Sequence, residues 1–372
     1  MSGAVQVATR LLAERTGMQV GDGLRERLAG CLEEAARVSG QTPEGYAAGL
    51  AGNPAAFQGL LDCVTVQESG FFRHPDQFAA LGREVLPALE SPVVVWSAGC
   101  ANGQEAYSLA MELAASGHAD WQVVATDISA TAVARARAGR YSTAELHGLP
   151  AAHRRWLRPA GDLWEVDPAL RRHVRVERAN LTERFPVEPG RCQVVFCRNV
   201  LIYLDRQVSG AFLDRLVDWL APDGLIFLGY SEAVLAPTDR LRVEWIGETS
   251  ALRAVPRSPA RSRGPEPPRR PGSRLEVAAL VAAGEAAVAR EDPEAAVAAF
   301  RKAVFLDPDH AVAWFQLGLA LGAVEDRRGA SRAYAAALAA LDRCDREAVQ
   351  AGLDGWPADE LAGVLRAKLG RP

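Results

Sequence analysis

The stretch Val93–Leu113, VVVWSAGCANGQEAYSLAMEL, decides the fold. It reads as a buried strand, a glycine turn and the start of a helix. Gly99 and Gly103 let the backbone turn tightly against a ligand. A nicotinamide-type turn would carry GxGxxG and lead a pyrophosphate to the helix N-terminus. Here Glu105 stands where a diphosphate would be repelled. A P-loop would need a lysine after Gly103, and Gln104 follows instead.

Working outward, residues 93–255 alternate short apolar runs with helical stretches. The expected strands are Val93–Trp96, Gln122–Ala125, Val174–Arg178, Gln193–Cys197 and Leu225–Leu228, with RVEWIG and SALRAV as an antiparallel pair at the edge. Such alternation indicates an α/β fold, a mostly parallel sheet with helices on both faces. An inserted subdomain is expected at about 140–178. Residues 1–75 carry helical patterns only, with Thr42 before Pro43 as a helix start. The α/β domain is thus placed at 76–255, with a helical domain before it.

The stretch Pro256–Arg274 holds six prolines and six arginines with one alanine as its apolar content. It has nothing to contribute to a core and reads as an extended linker. From 275 to 372 the chain is alanine-rich and helical, and it repeats: Gly284, Ala296, Phe300 and Ala303 return 34 residues later as Gly318, Ala330, Tyr334 and Ala337. That is the tetratricopeptide period, so an all-α repeat domain follows the linker.

Composition sets the outer bounds. Of 372 residues, 49% are hydrophobic and 24% charged, as in ordinary globular chains of two or three domains. A formal net charge of −4 gives no reason to expect nucleic acid or anionic lipid as a partner. The N-terminus shows no secretion signal and no run is long enough to span a bilayer, so the cytoplasm is the expected address. The six cysteines lack CxxC spacing and four sit in apolar runs, which predicts buried free thiols rather than metal ligands or disulfides.

In open parallel sheets, ligands bind beyond the carboxyl ends of the strands. Asp127 ends the second strand, 28 residues after Gly99, and suits hydrogen bonds to ribose hydroxyls. Asn180 ends the third and can pair with an adenine edge, with Leu181 as an apolar surface beside it. Asn199 and, a turn later, Tyr203 follow the fourth. A ribose-bearing ligand without phosphate satisfies both this acid set and the Glu105 turn, and S-adenosylmethionine is the common one.

At these positions the chain resembles the chemotaxis receptor methyltransferase family, CheR. The residues that carry the resemblance are ESGFFRHPDQF, WSAGCANGQEAYSLA, ATDIS, CRNVLIYL and LAPDGLIFLGYSE, between about Leu11 and Val255. The resemblance implies a class I S-adenosylmethionine-dependent, Rossmann-like methyltransferase domain behind a helical domain. It also implies O-methylation of glutamates on a methyl-accepting chemotaxis-type receptor. Positions matching the family's cofactor contacts are Ser69, Arg73, Glu105, Asp127, Asn180, Leu181, Asn199 and Val200, joined by Gly99 of the turn. Gln67 stands where the family usually has asparagine, and Ser69 where it has threonine; both keep hydrogen-bonding ability. The family's basic docking helix corresponds here to CLEEAARVSG, which has Glu33 and Glu34 and keeps only Arg37. The insert RRWLRPAGDLWEVDPALRRHV lacks the longer glycine-rich loop of members that tether to a receptor peptide.

A glutamate carboxylate is already ionised at neutral pH and needs no general base. Arg73 and Tyr203 are the candidates for orienting it, and Arg73 also suits the methionine carboxylate of the cofactor. Phe71 and Phe72 read as packing residues. Two other readings are weighed. A nucleic-acid amine methyltransferase would show [DN]PP[YF] after the fourth strand, which is absent. A cofactor-sensing scaffold that binds partners through its repeats would have lost the acidic and asparagine positions, which are intact. The repeats are expected to hold an unidentified protein or peptide.

Overall fold

The computed structural model describes residues 3–229, 232, 240–247, 249–254, 274–290, 292–341 and 358–369. Four helices open the chain: α1 (Gly3–Thr16), α2 (Asp22–Val38), α3 (Pro43–Gly49) and α4 (Pro54–Val64). Local chemistry sets two of their starts. The Thr42 hydroxyl accepts from the Gly45 amide at 3.1 Å, and Asn53 Oδ1 accepts from the Ala56 amide at 3.0 Å. Each cap is followed by proline at the first helical position, where a missing N–H costs nothing. Leu12, Leu28, Leu32, Leu50, Leu60, Leu61 and Val64 form the core of this helical region.

Here the structure corrects the expectation of free thiols. Cys31 of α2 and Cys63 of α4 are joined by a disulfide, 32 residues apart in sequence with their Cα atoms 6.0 Å apart. Apolar surroundings made each cysteine read as a buried thiol, and only the packing of α2 on α4 brings the two together. Cys100, Cys192 and Cys197 are buried free thiols. Cys344 lies outside the described residues, as does all of the Pro/Arg-rich stretch before Arg274.

A seven-stranded sheet follows. Its strands are β1 (Val93–Ala98), β2 (Trp121–Asp127), β6 (Val174–Arg178), β7 (Val194–Cys197), β8 (Leu225–Leu228), β9 (Leu241–Ile246) and β10 (Thr249–Ala254), in the order β6-β2-β1-β7-β8-β10-β9. The first five pair in parallel, and β10 runs antiparallel to both β8 and β9. The edge hairpin is therefore where RVEWIG and SALRAV pointed. β1 and β2 run farther than the apolar runs suggested, to Ala98 and Asp127, because ladder bonds continue past the last aliphatic residue. Alternate residues of β1 feed opposite cores: Val93 and Val95 join Leu109 and Phe196, while Val94 and Trp96 join Phe212 and Trp219. Both faces of β1 are buried, the signature of a central parallel strand.

Helices α5 (Pro75–Ala80), α6 (Gln104–Ser116), α7 (Ala130–Ala138), α8 (Pro168–Arg171) and α9 (Arg206–Trp219) join and flank the strands. Between α7 and α8, three short strands, β3 (Arg140–Tyr141), β4 (Leu157–Ala160) and β5 (Leu163–Val166), form a separate antiparallel sheet in the order β3-β5-β4. Chain order reverses between β1, which leads to β2, and β7, which leads to β8. That switch point opens a crevice at the carboxyl ends of β1 and β7.

The chain divides into two compact units, Met1–Ser258 and Pro259–Pro372. In the second, α10 (Arg274–Ala289), α11 (Pro293–Leu306), α12 (Ala311–Ala323) and α13 (Arg327–Leu341) pack in sequence, and a further helix spans Ala358–Lys368. A Cβ at Gly284 would lie 2.5 Å from the Phe300 ring, and one at Gly318 would lie 2.3 Å from the Tyr334 ring. The same glycine-on-aromatic contact thus recurs 34 residues on, with buried Ala296, Ala303, Ala330 and Ala337 around it. No helix of the described residues is long and apolar enough to cross a membrane.

Candidate active site

The crevice begins where β1 runs out. The backbone takes positive φ at Gly99 (80°), Ala101 (45°) and Gly103 (92°) before α6 starts. The Gly99 and Cys100 amides both donate to the Thr126 carbonyl, at 2.8 and 2.9 Å, so the turn is pinned to β2. A Cβ at Gly99 would lie 2.3 Å from Val200 Cγ2, and one at Gly103 would lie 2.8 Å from Ala136 Cβ. Glycine is required at both places for sterics as well as φ. Gly99 and Val200, assigned separately from sequence, therefore meet across the crevice.

Asp127 closes the second side. Its Oδ2 accepts from the Ala101 amide and its Oδ1 from the Ser129 amide, both at 2.9 Å. Burial pushes its carboxyl above the ordinary aspartate range, and these backbone donors pull the other way. The carboxylate has roughly four acceptor sites, more than its backbone donors fill, which leaves room for ribose hydroxyls. Beside it, Gln67 Nε2 donates to Ser129 Oγ and Thr131 Oγ1, each at 2.9 Å, and the Gln67 carbonyl accepts from Asn102 Nδ2 at 3.1 Å. The segment from Gln67 to Arg73 is thereby laid along the glycine turn. Ser69 is half-buried within it, and Arg73 pairs at 3.6 Å with the exposed Glu68.

Glu105 has both oxygens engaged inside the protein. Oε1 accepts from Ser97 Oγ at 2.6 Å and Oε2 from Arg198 Nε at 2.7 Å. The Arg198 side chain is only 2% exposed. Its Nη1 donates to Gln77 Oε1 at 3.0 Å and to the Arg73 carbonyl, and its guanidinium lies 5.2 and 5.3 Å from the Phe78 and Phe196 ring centres. Sequence reasoning passed over Arg198. The signal was available: an arginine at the end of the apolar strand VVFC needs a buried partner, and Glu105 was the acid already placed nearby. Phe71 and Phe72 are buried in the main core, as packing residues.

The fourth strand ends in a left-handed step. Asn199 has φ 60°. Its amide donates to Glu232 Oε2 at 2.5 Å, and its side-chain Oδ1 is buried without a partner among the described residues. Asn102 Oδ1 on the facing glycine turn and Gln104 Oε1 at the start of α6 are buried and unpartnered in the same way. Buried acceptors left unmatched are costly, and their gathering on the two loops that meet at Gly99 and Val200 fits a polar, hydrogen-bond-donating cofactor. Glu232, quoted in LGYSE but given no role, is the second residue the sequence reading missed.

The Asn180 side chain is engaged within the protein. Asn180 Nδ2 donates to the Arg15 carbonyl at 2.8 Å, while its Oδ1 accepts from the Thr182 amide and hydroxyl at 3.1 and 2.8 Å. It ties the end of β6 to helix α1 instead of standing open to an adenine edge. Leu181 is partly buried against the second core. Tyr203 ends a single turn, Leu201–Tyr203, whose last carbonyl accepts from the Gln19 amide at 2.8 Å. The Asp205 amide donates to the Gly17 carbonyl at 2.9 Å, so the helical region borders the crevice at this corner.

The sequence profile of the family described as "CheR methyltransferase, SAM binding domain" matches residues 67–248. Chemotaxis protein methyltransferase 1 of Pseudomonas aeruginosa is 36% identical over 190 residues, covering 47% of this chain and 69% of that protein. The chemotaxis protein methyltransferase of Salmonella typhimurium is 34% identical over 234 residues, 60% of this chain and 81% of its own length. The probable biofilm formation methyltransferase WspC of Pseudomonas aeruginosa is 28% identical over 413 residues, covering 87% of this chain and 96% of that protein.

Proposed function

The chain belongs to the CheR methyltransferase family, and from that premise we propose that it methylates glutamate side chains of chemotaxis-type receptors. S-adenosylmethionine, when bound, would supply its sulfonium methyl to the receptor carboxylate, giving a methyl ester and leaving S-adenosylhomocysteine as the S–CH3 bond breaks. The observation that carries this reading is the crevice where Gly99 meets Val200, flanked by Asp127 and by the unmatched Asn199 acceptor.

The roles of the chain's own residues follow from chemistry. Asp127 holds ribose hydroxyls while keeping the glycine turn in place. Gln67, Ser69 and Arg73 line the methionine end, Arg73 as a cation for its carboxylate. Glu105 acts from the wall of the crevice, held by Ser97 and Arg198. Leu181 and Val200 offer apolar surface, and Asn199 Oδ1 accepts from a donor on the cofactor. The Asn180 side chain fixes the end of β6, and we assign the adenine edge to the backbone beside it. Tyr203 and Arg73 orient the incoming carboxylate. Positioning is the large effect available, because an ionised carboxylate needs no proton removed. An arginine that held the anion too tightly would stabilise the ground state and slow attack.

Substrate capture differs from the family's usual means. Arg37, the one base of the stretch CLEEAARVSG, is exposed and paired with Glu34 at 2.8 and 2.6 Å. Little net positive field remains there to steer an acidic receptor helix. We assign recruitment to the second unit, read as tetratricopeptide repeats that hold a signalling protein or peptide and raise the local concentration of substrate. The cytoplasm is the proposed site of action. Labelled-methyl transfer to receptor fragments tests the chemistry: label must appear on glutamates as base-labile ester, and absence of transfer from intact cofactor-bound protein overturns it. Removing 275–372 is expected to lower methylation of assembled receptors while cofactor affinity stays unchanged; equal rates at low enzyme concentration would rule out recruitment.

A further inference from the structure

The segment Asn199–Tyr203 carries three residues of the proposed site, and its backbone is fixed from behind. Asn199 sits at φ 60°, in the left-handed region, which asparagine enters more readily than other residues with a side chain. What holds it there is Glu232. This side chain is fully buried and accepts from three backbone amides: Gly229 at 2.8 Å and Asn199 at 2.5 Å through Oε2, and Ile202 at 3.3 Å through Oε1. A Cβ at Gly229 would stand 2.6 Å from Glu232 Oε2 and 3.1 Å from the Asn199 amide, so the cradle closes only over glycine.

The consequence reaches the crevice. With its amide fixed, Asn199 presents Oδ1 as a buried acceptor without a partner, and Val200 is set against Gly99. Glu232 stands behind this backbone, and the contacts described for it are made to amides. We propose that Glu232 is a positioning residue, which orders cofactor binding by locking Asn199 and Val200 into place. This rests on the reading of Asn199 as a cofactor contact. Glutamine at 232 keeps one acceptor but turns an NH2 group toward a backbone N–H, so the lock fails at one of its two oxygens without loss of volume.

A double-mutant cycle on the full-length protein tests it, with S-adenosylhomocysteine titrated by calorimetry and folding followed by thermal melting. Glu232→Gln is expected to weaken binding about tenfold or more, since hydrogen bonds to a buried charge are the strong class. Asn199→Ala is expected to weaken it as well. If Glu232 acts through Asn199, the double variant binds within about twofold of the weaker single one, because the two changes break one unit. Losses that multiply in the double variant overturn the proposal, as does wild-type affinity in Glu232→Gln. If Asn199→Ala alone binds normally, the reading of Asn199 falls and this inference with it. Should Glu232→Gln not fold, Gly229→Ala disturbs the same cradle and completes the same cycle.

Discussion

The two sides of the crevice are built from opposite materials. On the β1 side, the turn Gly99–Gly103 is held chiefly through its backbone: glycines at positive φ, two amides on the Thr126 carbonyl and the Ala101 amide on Asp127. On the β7 side, the turn Arg198–Tyr203 is held by buried charges, Arg198 on Glu105 and Glu232 on the Asn199 amide. A glycine turn is stable by default where nothing else fits. A charge lock is stable only while every partner is present, since a buried ion left alone must bear its desolvation cost. The comparison predicts that damage to the β7 side will cost more and spread farther.

The largest effect is expected at the ion pair. Arg198→Met leaves Glu105 buried beside Ser97 with no cation, and should destabilise the first unit by about 3–5 kcal/mol. Thermal or urea unfolding measures this, and adding Glu105→Gln should return part of the loss. A variant as stable as the parent would break the contrast between the two sides.

A smaller effect is expected at the glycine turn. Gly99→Ala puts a methyl 2.3 Å from Val200 Cγ2 at φ 80°. The left-handed backbone alone should cost about 1–2 kcal/mol. Because the clash is with one side chain, Val200→Ala in the same chain should relieve the steric part and leave the backbone part. Cofactor titration and melting together separate the two.

Asp127, which braces the β1 side, should give the smallest signal under ordinary conditions and a pH signature. Burial raises its carboxyl, so its contribution to folding is full at acid pH and fades as pH rises through the raised value. Cofactor binding runs the other way, because ribose needs the carboxylate as acceptor. Affinity should therefore fall on acidification earlier than an exposed aspartate would titrate, and Asp127→Asn should flatten that limb. Glu232, also raised by burial, contributes a second limb that Glu232→Gln removes. An acid limb unchanged in both variants would show that neither carboxylate meets the cofactor's demands.

Much of this was legible beforehand because it depends on local signals. The strand, turn and helix at 93–113, the edge hairpin and the 34-residue recurrence all come from periodicity and glycine placement. Asp127 was legible because a strand end and a distance from Gly99 define its place. The disulfide was not. Cys31 and Cys63 carry no spacing signal, and their pairing follows from how α2 packs on α4. The Asn180 side chain was misdirected for a similar reason: its partner, the Arg15 carbonyl, lies 165 residues away in sequence.

By itself, then, the sequence determined the order of elements along the chain and the kind of ligand its turn excludes, since these rest on φ preferences, hydrophobic period and the sign of one charge near a helix start. Tertiary structure alone decided which buried charges pair, which acceptors stay unmatched and which cysteines meet. Those outcomes depend on atoms within about 3 Å contributed by segments far apart along the chain, and no local property of either segment encodes the distance between them.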